Sequence, residues 1–295
     1  LFLGIFHPKG KWVIADVAEV CRGEAVFPHV ESDAIYAVLE KNENGVFATV
    51  DYPFYFDGKQ PHFYTPDKER EEKVTLYRKH PLMGWIGIYL DEICGGRFDF
   101  SDMEDFRHLK YTYQVPDTPR ICYNEVALPQ QLQCRYVRYK AMEWKNTNIG
   151  ELLFWGGKTR YYPETVKGAP AENPVNVQER MFDDDPLTYY STRLPGATLL
   201  MDFGKQVEMD RFIFIPRNDD NFIRIGDTYE LYYHDGRNGW VSLGRKTASA
   251  PELVYDNMPR GALFHLRCLT RGEEEQVFHI KDGKQVFISN LSYIR

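Results

Sequence analysis

The stretch that decides the fold is Ala197–Asp220, ATLLMDFGKQVEMDRFIFIPRNDD. Two short apolar runs, ATLLMDF and RFIFIPR, flank a polar corner, and each run has the length of one strand. The second run ends abruptly in Pro-Arg-Asn-Asp-Asp. A sandwich core accounts for the apolar residues but leaves that polar terminus unexplained.

The same pattern continues on both sides. Downstream, DTYELYYHDGRNGWVSL (Asp227–Leu243) and ALFHLRCL (Ala262–Leu269) follow as further strands. In Thr228–Tyr233, period-two spacing puts Tyr229, Leu231 and Tyr233 on one face. Upstream, strands are predicted at KWVIADV (Lys11–Val17), AIYAVLE (Ala34–Glu40) and VFATV (Val46–Val50). The intervening KNENG reads as a hairpin turn whose Asn-Gly supplies positive φ. Further strands are predicted at VTLYRK (Val74–Lys79), GWIGIYLDEI (Gly84–Ile93), RYVRYKAM (Arg135–Met142) and GELLFWG (Gly150–Gly156). No capped stretch of 3.6-residue period competes, so the expected class is all-β, built of antiparallel sandwiches.

Two composition shifts suggest boundaries. The charge run PDKEREEK (Pro66–Lys73) has no apolar face and reads as a solvated linker or edge. VKGAPAENPV (Val166–Val175) is rich in Pro, Ala and Gly. The expected organisation is a small N-terminal β domain over 1–72, a β-sandwich over 73–157 and a second sandwich over 158–295.

With 43% hydrophobic residues among 295, the chain can bury a substantial core. A net charge of -7 offers no overall basic field, which argues against nucleic acid or anionic lipid as partner. The 20 Tyr and 19 Phe exceed what a core alone needs and suit contact surfaces as well. The five cysteines are widely spaced with no CxxC pair, so buried thiols are expected rather than a disulfide framework or a zinc site. No apolar run reaches the length of a membrane span, and LFLGIF at the start has neither the basic region nor the length of a signal peptide. Because the chain begins within what reads as a strand, without an initiator Met, a processed form or a fragment is expected.

The elements FDDDPLTYYST, ATLLMDFGKQVEMDRFIFIPRND, RIGDTYELYYHDGRNGW and ALFHLRCLTRG, in that order, resemble a discoidin-type domain. This is the coagulation factor type C domain of the galactose-binding-like jelly-roll class. The resemblance spans Asn176 to about Ile280. GGRFDFSDMEDFRHLKYTY followed by RYVRYKAMEWKNTNIGELLFWG resembles a more divergent copy, with Glu151 opening its last strand. The resemblance implies a small β domain followed by two galactose-binding-like jelly rolls, as in the C-terminal part of multidomain envelope proteins of Bacteroides-type bacteria. Some of those carry a transglutaminase-like or peptidase-like domain upstream. It implies a periplasmic, cell-surface or secreted location, although this chain shows no targeting signal.

No GxSxG elbow, HExxH, P-loop or Rossmann fingerprint is present, so a non-catalytic role is expected. The expected function is binding of a glycan or glycoprotein, with neither nucleic acid nor membrane insertion. The alternatives are an accessory part of a larger transglutaminase-like, peptidase-like or glycoside-hydrolase enzyme, and a protein-interaction scaffold with degenerate sugar sites. A neutral sugar needs paired donors and acceptors for its hydroxyls and an aromatic ring for its C–H face. Arg217, Asn218, Asp219, Asp220 and Asn221 are the candidates for the first and Phe222 for the second. Tyr189 and Tyr190 fall where the resembled family places an aromatic residue, and Trp144 in WKNTN is the candidate platform of the other sandwich. Against this, Arg217 and Asp219 could be a surface ion pair and the asparagines plain turn residues. The acidic turn DDDP (Asp183–Pro186) reads either as a solvated turn or as a calcium loop using Asp183 and Asp185, ahead of Thr188. No other cofactor is expected.

Overall fold

A computed structural model gives the fold and describes residues 1–7, 11–32, 34–82 and 84–287. It is 51% strand and 6% helix, with several antiparallel sheets, as the all-β reading expects. The chain forms two compact units. Leu1–Pro81 and the chain from Phe222 onward make the first, and Leu82–Asn221 makes the second.

The first unit opens with β1 (Phe2–His7), β2 (Lys11–Val17), β3 (Ile35–Lys41), β4 (Phe47–Thr49), β5 (Phe54–Phe56), β6 (Pro61–Phe63) and β7 (Asp67–Leu76). The second unit opens with the α-helix α1 (Gly84–Ile93), then β8 (Arg97–Ser101), β9 (Tyr111–Gln114), β10 (Asn124–Lys140) and β11 (Thr147–Gly156). It ends with β12 (Thr159–Tyr161), β13 (Thr165–Gly168), β14 (Tyr190–Thr192) and β15 (Thr198–Pro216). The chain then completes the first unit with β16 (Thr228–His234), β17 (Trp240–Thr247), β18 (Leu253–Arg260), β19 (Phe264–Cys268), β20 (Glu273–Lys281) and β21 (Lys284–Phe287).

In the first unit, one sheet has the order β2-β1-β3-β5-β6 with β4 on β3, another the order β17-β16-β19-β20-β21, and β7 pairs with β18 as a two-stranded ribbon. Phe6, Ile35 and Tyr64 from the start of the chain pack with Leu263 and Val277 from its end in one apolar cluster. The first 72 residues therefore share a core with the last part of the chain, unlike the separate domain expected from the sequence. All but the first residue of the expected boundary run lies within β7: Asp67–Lys73 face mostly outward, while Val74 and Leu76 are buried and the ribbon pairs Leu253 with Leu76. A charge run and an exposed ribbon look alike in sequence because both lack a buried face over those residues. Tyr229, Leu231 and Tyr233 do share the inner face of β16.

In the second unit, one sheet runs β12-β11-β15-β10-β8-β9, with β13 added to β15 and β14 to β11. The expected boundary at 157/158 falls inside it, because β11 pairs directly with β15. The opening stretch is one long strand rather than two. Its first half pairs β13 and its second half β11, while β10 accompanies both. Leu199, Met201, Phe203, Val207 and Met209 point inward, then the phase slips and Phe212 and Phe214 are the buried positions. The slip lies opposite a register shift between Ala127 and Leu132 of β10, where extra residues let the strand bend around the core. Gly204 sits at φ +71°, and its N–H donates to Asp202 Oδ1 at 2.8 Å. Phe98, Phe100, Tyr139, Phe154, Phe212 and Phe214 form the centre of this unit.

The segment GWIGIYLDEI is helical, which corrects the strand expected there. Trp85 and Tyr89 are one turn apart with ring centroids at 5.9 Å, and Ile86 and Ile93, two turns apart, are the buried positions. Among the cysteines, Cys94, Cys122, Cys134 and Cys268 are buried and Cys21 is exposed. Burial pushes the Cys134 thiol up to about 12, as expected for a structural thiol.

Candidate functional site

At one end of the second unit, Arg217 leaves β15 and its guanidinium lies between two aromatic rings. Its central carbon is 3.7 Å from the ring centroid of Tyr89 and 3.9 Å from that of Tyr189. Tyr189 precedes β14, and Tyr89 comes from α1. Sandwiched in this way, a guanidinium keeps its planar rim of N–H groups available while both faces are covered. Among the described residues, Asn148 Oδ1 accepts from that rim, at 3.5 Å.

Acids and amides surround the cation. Glu92, one turn beyond Tyr89 on α1, accepts hydrogen bonds from Asn148 Nδ2 and, at 3.3 Å, from Asn146 Nδ2. Burial pushes the Glu92 carboxyl above its ordinary range, against the pull of these bonds and of Arg217. Glu172 accepts from the Ser191 hydroxyl, from Asn176 Nδ2 at 3.2 Å and from Arg193 Nε at 3.1 Å, and these bonds hold it below the usual carboxylate range. The result is a rim of donors and acceptors beside the two tyrosines that cover the guanidinium.

The other sequence-derived candidates are distributed differently. Asn218 is buried, and its amide donates to the Pro186 and Pro216 carbonyls at 2.9 and 3.2 Å. Asp220 takes a left-handed backbone, φ +69°, and its N–H donates to Asn218 Oδ1. Asp219 is half-buried, and its Oδ1 has no hydrogen-bond partner among the described residues. Asn221 is fully buried. These residues shape the loop. Phe222 is 3% exposed and cannot offer its ring to a sugar, which corrects its expected role as an apolar platform. Tyr190 is likewise fully buried, with its hydroxyl donating to the Ala169 carbonyl, as are its β14 neighbours Ser191 and Thr192. Trp144 is 71% exposed, in the turn between β10 and β11.

The acidic turn forms a second polar centre in the same unit. The Thr188 hydroxyl lies 2.9 Å from both Asp183 carboxylate oxygens, 3.1 Å from the Asp185 carbonyl and 3.5 Å from the Arg180 carbonyl. The Asp185 carboxylate turns away and accepts from the Leu187 N–H. No glycine shapes the turn. Asp184 itself takes φ +65° and pairs with Arg160. Glu151 of β11, one of the residues that carried the resemblance, lies beside Asp183, and both its carboxyl oxygens are buried with no hydrogen-bond partner among the described residues. Burial, and then Asp183, push the Glu151 carboxyl up to about 8, while Arg180 and Thr188 hold Asp183 below its ordinary value. Glu151 is buried and Asp183 is exposed, with Arg160 3.8 Å from Glu151 and Arg180 3.1 Å from Asp183, and a shared proton or a further cation would relieve the remaining repulsion between the two carboxyls. Among the described residues no group of three or more His, Cys, Asp or Glu side chains could hold a metal, so any cation here would rely on carbonyl and hydroxyl oxygens as well.

No described helix is long and apolar enough to cross a membrane. Comparison with known protein families, with curated proteins and with solved structures found no match to this chain.

Proposed function

We propose that the chain is a non-catalytic binding protein that takes a neutral glycan at the Arg217 end of the second unit. The observation that supports this reading is the guanidinium stacked between Tyr89 and Tyr189, with the Glu92 and Asn148 groups beside it. Vicinal hydroxyls match a planar donor rim next to a carboxylate, and the half-buried Tyr89 and Tyr189 beside it supply aromatic surface for a sugar C–H face. The discoidin-like resemblance and a location outside the cytoplasm belong to this same proposal.

A glycan array followed by calorimetry tests it. Arg217→Ala is expected to weaken binding at least about tenfold, since it removes charge-assisted bonds, while the unfolding midpoint changes little. Tyr190→Ala is expected instead to destabilise the fold by about 3 kcal/mol, as a buried aromatic truncation. A chain that binds no neutral glycan, or an Arg217→Ala variant that binds as well as the parent, overturns the reading.

Calcium is the cation proposed for the acidic turn, held by the Asp183 and Glu151 carboxylates, the Thr188 hydroxyl and the Arg180 and Asp185 carbonyls. A hard cation favours this all-oxygen donor set, and it would neutralise the two adjoining carboxyls. The pH dependence gives a signature. Without a cation, the folded Glu151 holds its proton up to about pH 8, whereas an unfolded glutamate loses it near 4.5. The folded state then binds more protons across that window, so stability in chelator should fall as pH rises from 4.5 to 8. Millimolar calcium should remove that fall and raise the melting temperature by roughly 5–10 °C at the alkaline end. Identical melting curves with calcium and with chelator at pH 8 would exclude the site.

A further inference from the structure

We infer that a groove under Trp144, separate from the Arg217 cluster, binds the negatively charged group of an acidic saccharide. The groove is lined by Gly95, Arg97, Gln114, Lys140, Glu143 and Trp144, among others. Its floor is a row across three strands: Arg97 of β8 lies directly opposite Lys140 of β10 on one side and Gln114 of β9 on the other. The neighbours Phe98 and Tyr139 are fully buried, so this row faces outward.

Two cations in directly opposed positions of an antiparallel pair repel each other, and a structural role alone does not call for that. The surplus is larger still. Arg138, opposite Asp99 on the same face, shares that one buried carboxylate with Arg97, at 2.6 and 2.9 Å. Three cations thus have one paired carboxylate between them, and Glu143, the other carboxylate lining the groove, pairs with none of them. Lys140, Gln114, Glu143 and Trp144 make no side-chain hydrogen bond, ion pair or ring contact with any described residue. Lys140, exposed, is therefore free to receive an anionic group.

Trp144 specifies what kind of anion fits. An indole that is 71% exposed leaves a large apolar face in water, and a pyranose ring covers such a face by C–H stacking. A stacked sugar would put a carboxylate or sulfate at the Lys140–Arg97 row, with Gln114 and Glu143 beside its hydroxyls. Uronate and sulfated saccharides share this chemistry, whereas a simple phosphate or sulfate ion would leave the indole uncovered.

The test is calorimetry on the whole chain with three probes: tetragalacturonic acid, its carboxyl-reduced neutral counterpart, and a heparin-derived tetrasaccharide. At least one acidic probe should bind at least about tenfold more tightly than the neutral one, the value of one charge-assisted contact, and should weaken as salt is raised. The preferred acidic probe identifies carboxylate or sulfate as the recognised group. Lys140→Glu and Trp144→Ala, both at exposed positions, should each reduce that affinity about tenfold or more, with unchanged melting curves. Equal binding of acidic and neutral probes, no binding of either acid, or affinity that survives both substitutions would overturn the assignment.

Discussion

Replacing Phe212 by alanine is expected to cost about 3–5 kcal/mol, the range for truncating a buried aromatic with little room for collapse. The ring is fully buried and lies 5.0 Å from Phe98, 5.5 Å from Phe100, 5.7 Å from Tyr113, 6.1 Å from Phe154 and 6.3 Å from Phe214, centroid to centroid. These partners come from β8, β9, β11 and β15, so one truncation leaves a void shared by four strands. Urea unfolding should show the transition of the 82–221 unit moving to lower denaturant while that of the other unit stays in place. Ile213→Ala, one residue along on the opposite face of the strand, should cost much less. A Phe212→Ala loss below about 1 kcal/mol would mean that the ring is not the centre of the packing.

Acid should weaken the first unit through His234. That imidazole is fully buried between Trp12 and Trp240, at 6.0 and 4.9 Å between ring centroids, and neither ring nitrogen has a hydrogen-bond partner among the described residues. Burial holds its pKa down at about 4, with Asp235 pulling weakly the other way, while an unfolded histidine titrates near 6.5. Asp235 is itself engaged by Lys68 and Asn238, each at 2.8 Å, so it is poorly placed to rescue an imidazolium. The unfolded chain therefore binds more protons between pH 4 and 6.5, and stability must fall as pH drops through that window, by about 3 kcal/mol in all. His279, also lowered by burial, acts in the same direction. Denaturant midpoints measured across the window should decline for the parent chain and flatten for His234→Phe. A parent midpoint that does not move between pH 6.5 and 4 would contradict the buried neutral imidazole.

Much of the strand pattern was legible because period two is a strong signal where one face is buried. The predicted KWVIADV strand coincides with β2, and the Asn-Gly hairpin is present with Gly45 at φ +79°. The helix was hidden by its own residue types: Ile, Trp and Tyr favour strands and two glycines weaken a helix, so only the spacing of Trp85, Tyr89 and Glu92 pointed to one. Missing the helix meant missing two groups of the candidate site, Tyr89 and Glu92, which come from a remote part of the chain. Arg217 and Tyr189 were visible because they flank strand ends. Burial was not visible in the same loops. Phe222 and Tyr190 have the right chemistry beside the right loop, but the backbone turns them inward, and composition carries no sign of that turn. Serial domain boundaries failed for a related reason, since strand pairing between distant segments leaves no local mark in sequence.

The first unit is assembled from both ends of the chain, with the complete second unit lying between its two segments. This arrangement fixes an order of events on the ribosome. Leu82–Asn221 contains all of its own strands and can close as soon as it emerges, whereas β7 must wait for β18, and the sheet of β1 to β6, although it pairs within itself, must wait for the later side chains that complete its apolar cluster. During that interval β7 lacks β18, and the Phe6–Ile35–Tyr64 surface lacks Leu263 and Val277. The exposed intermediate is thus the Leu1–Pro81 segment. The charges of Glu69, Arg70, Glu71, Glu72 and Lys73 along β7 are of the kind that keeps an unpaired strand edge soluble, which an unpartnered β7 would need until β18 is synthesised.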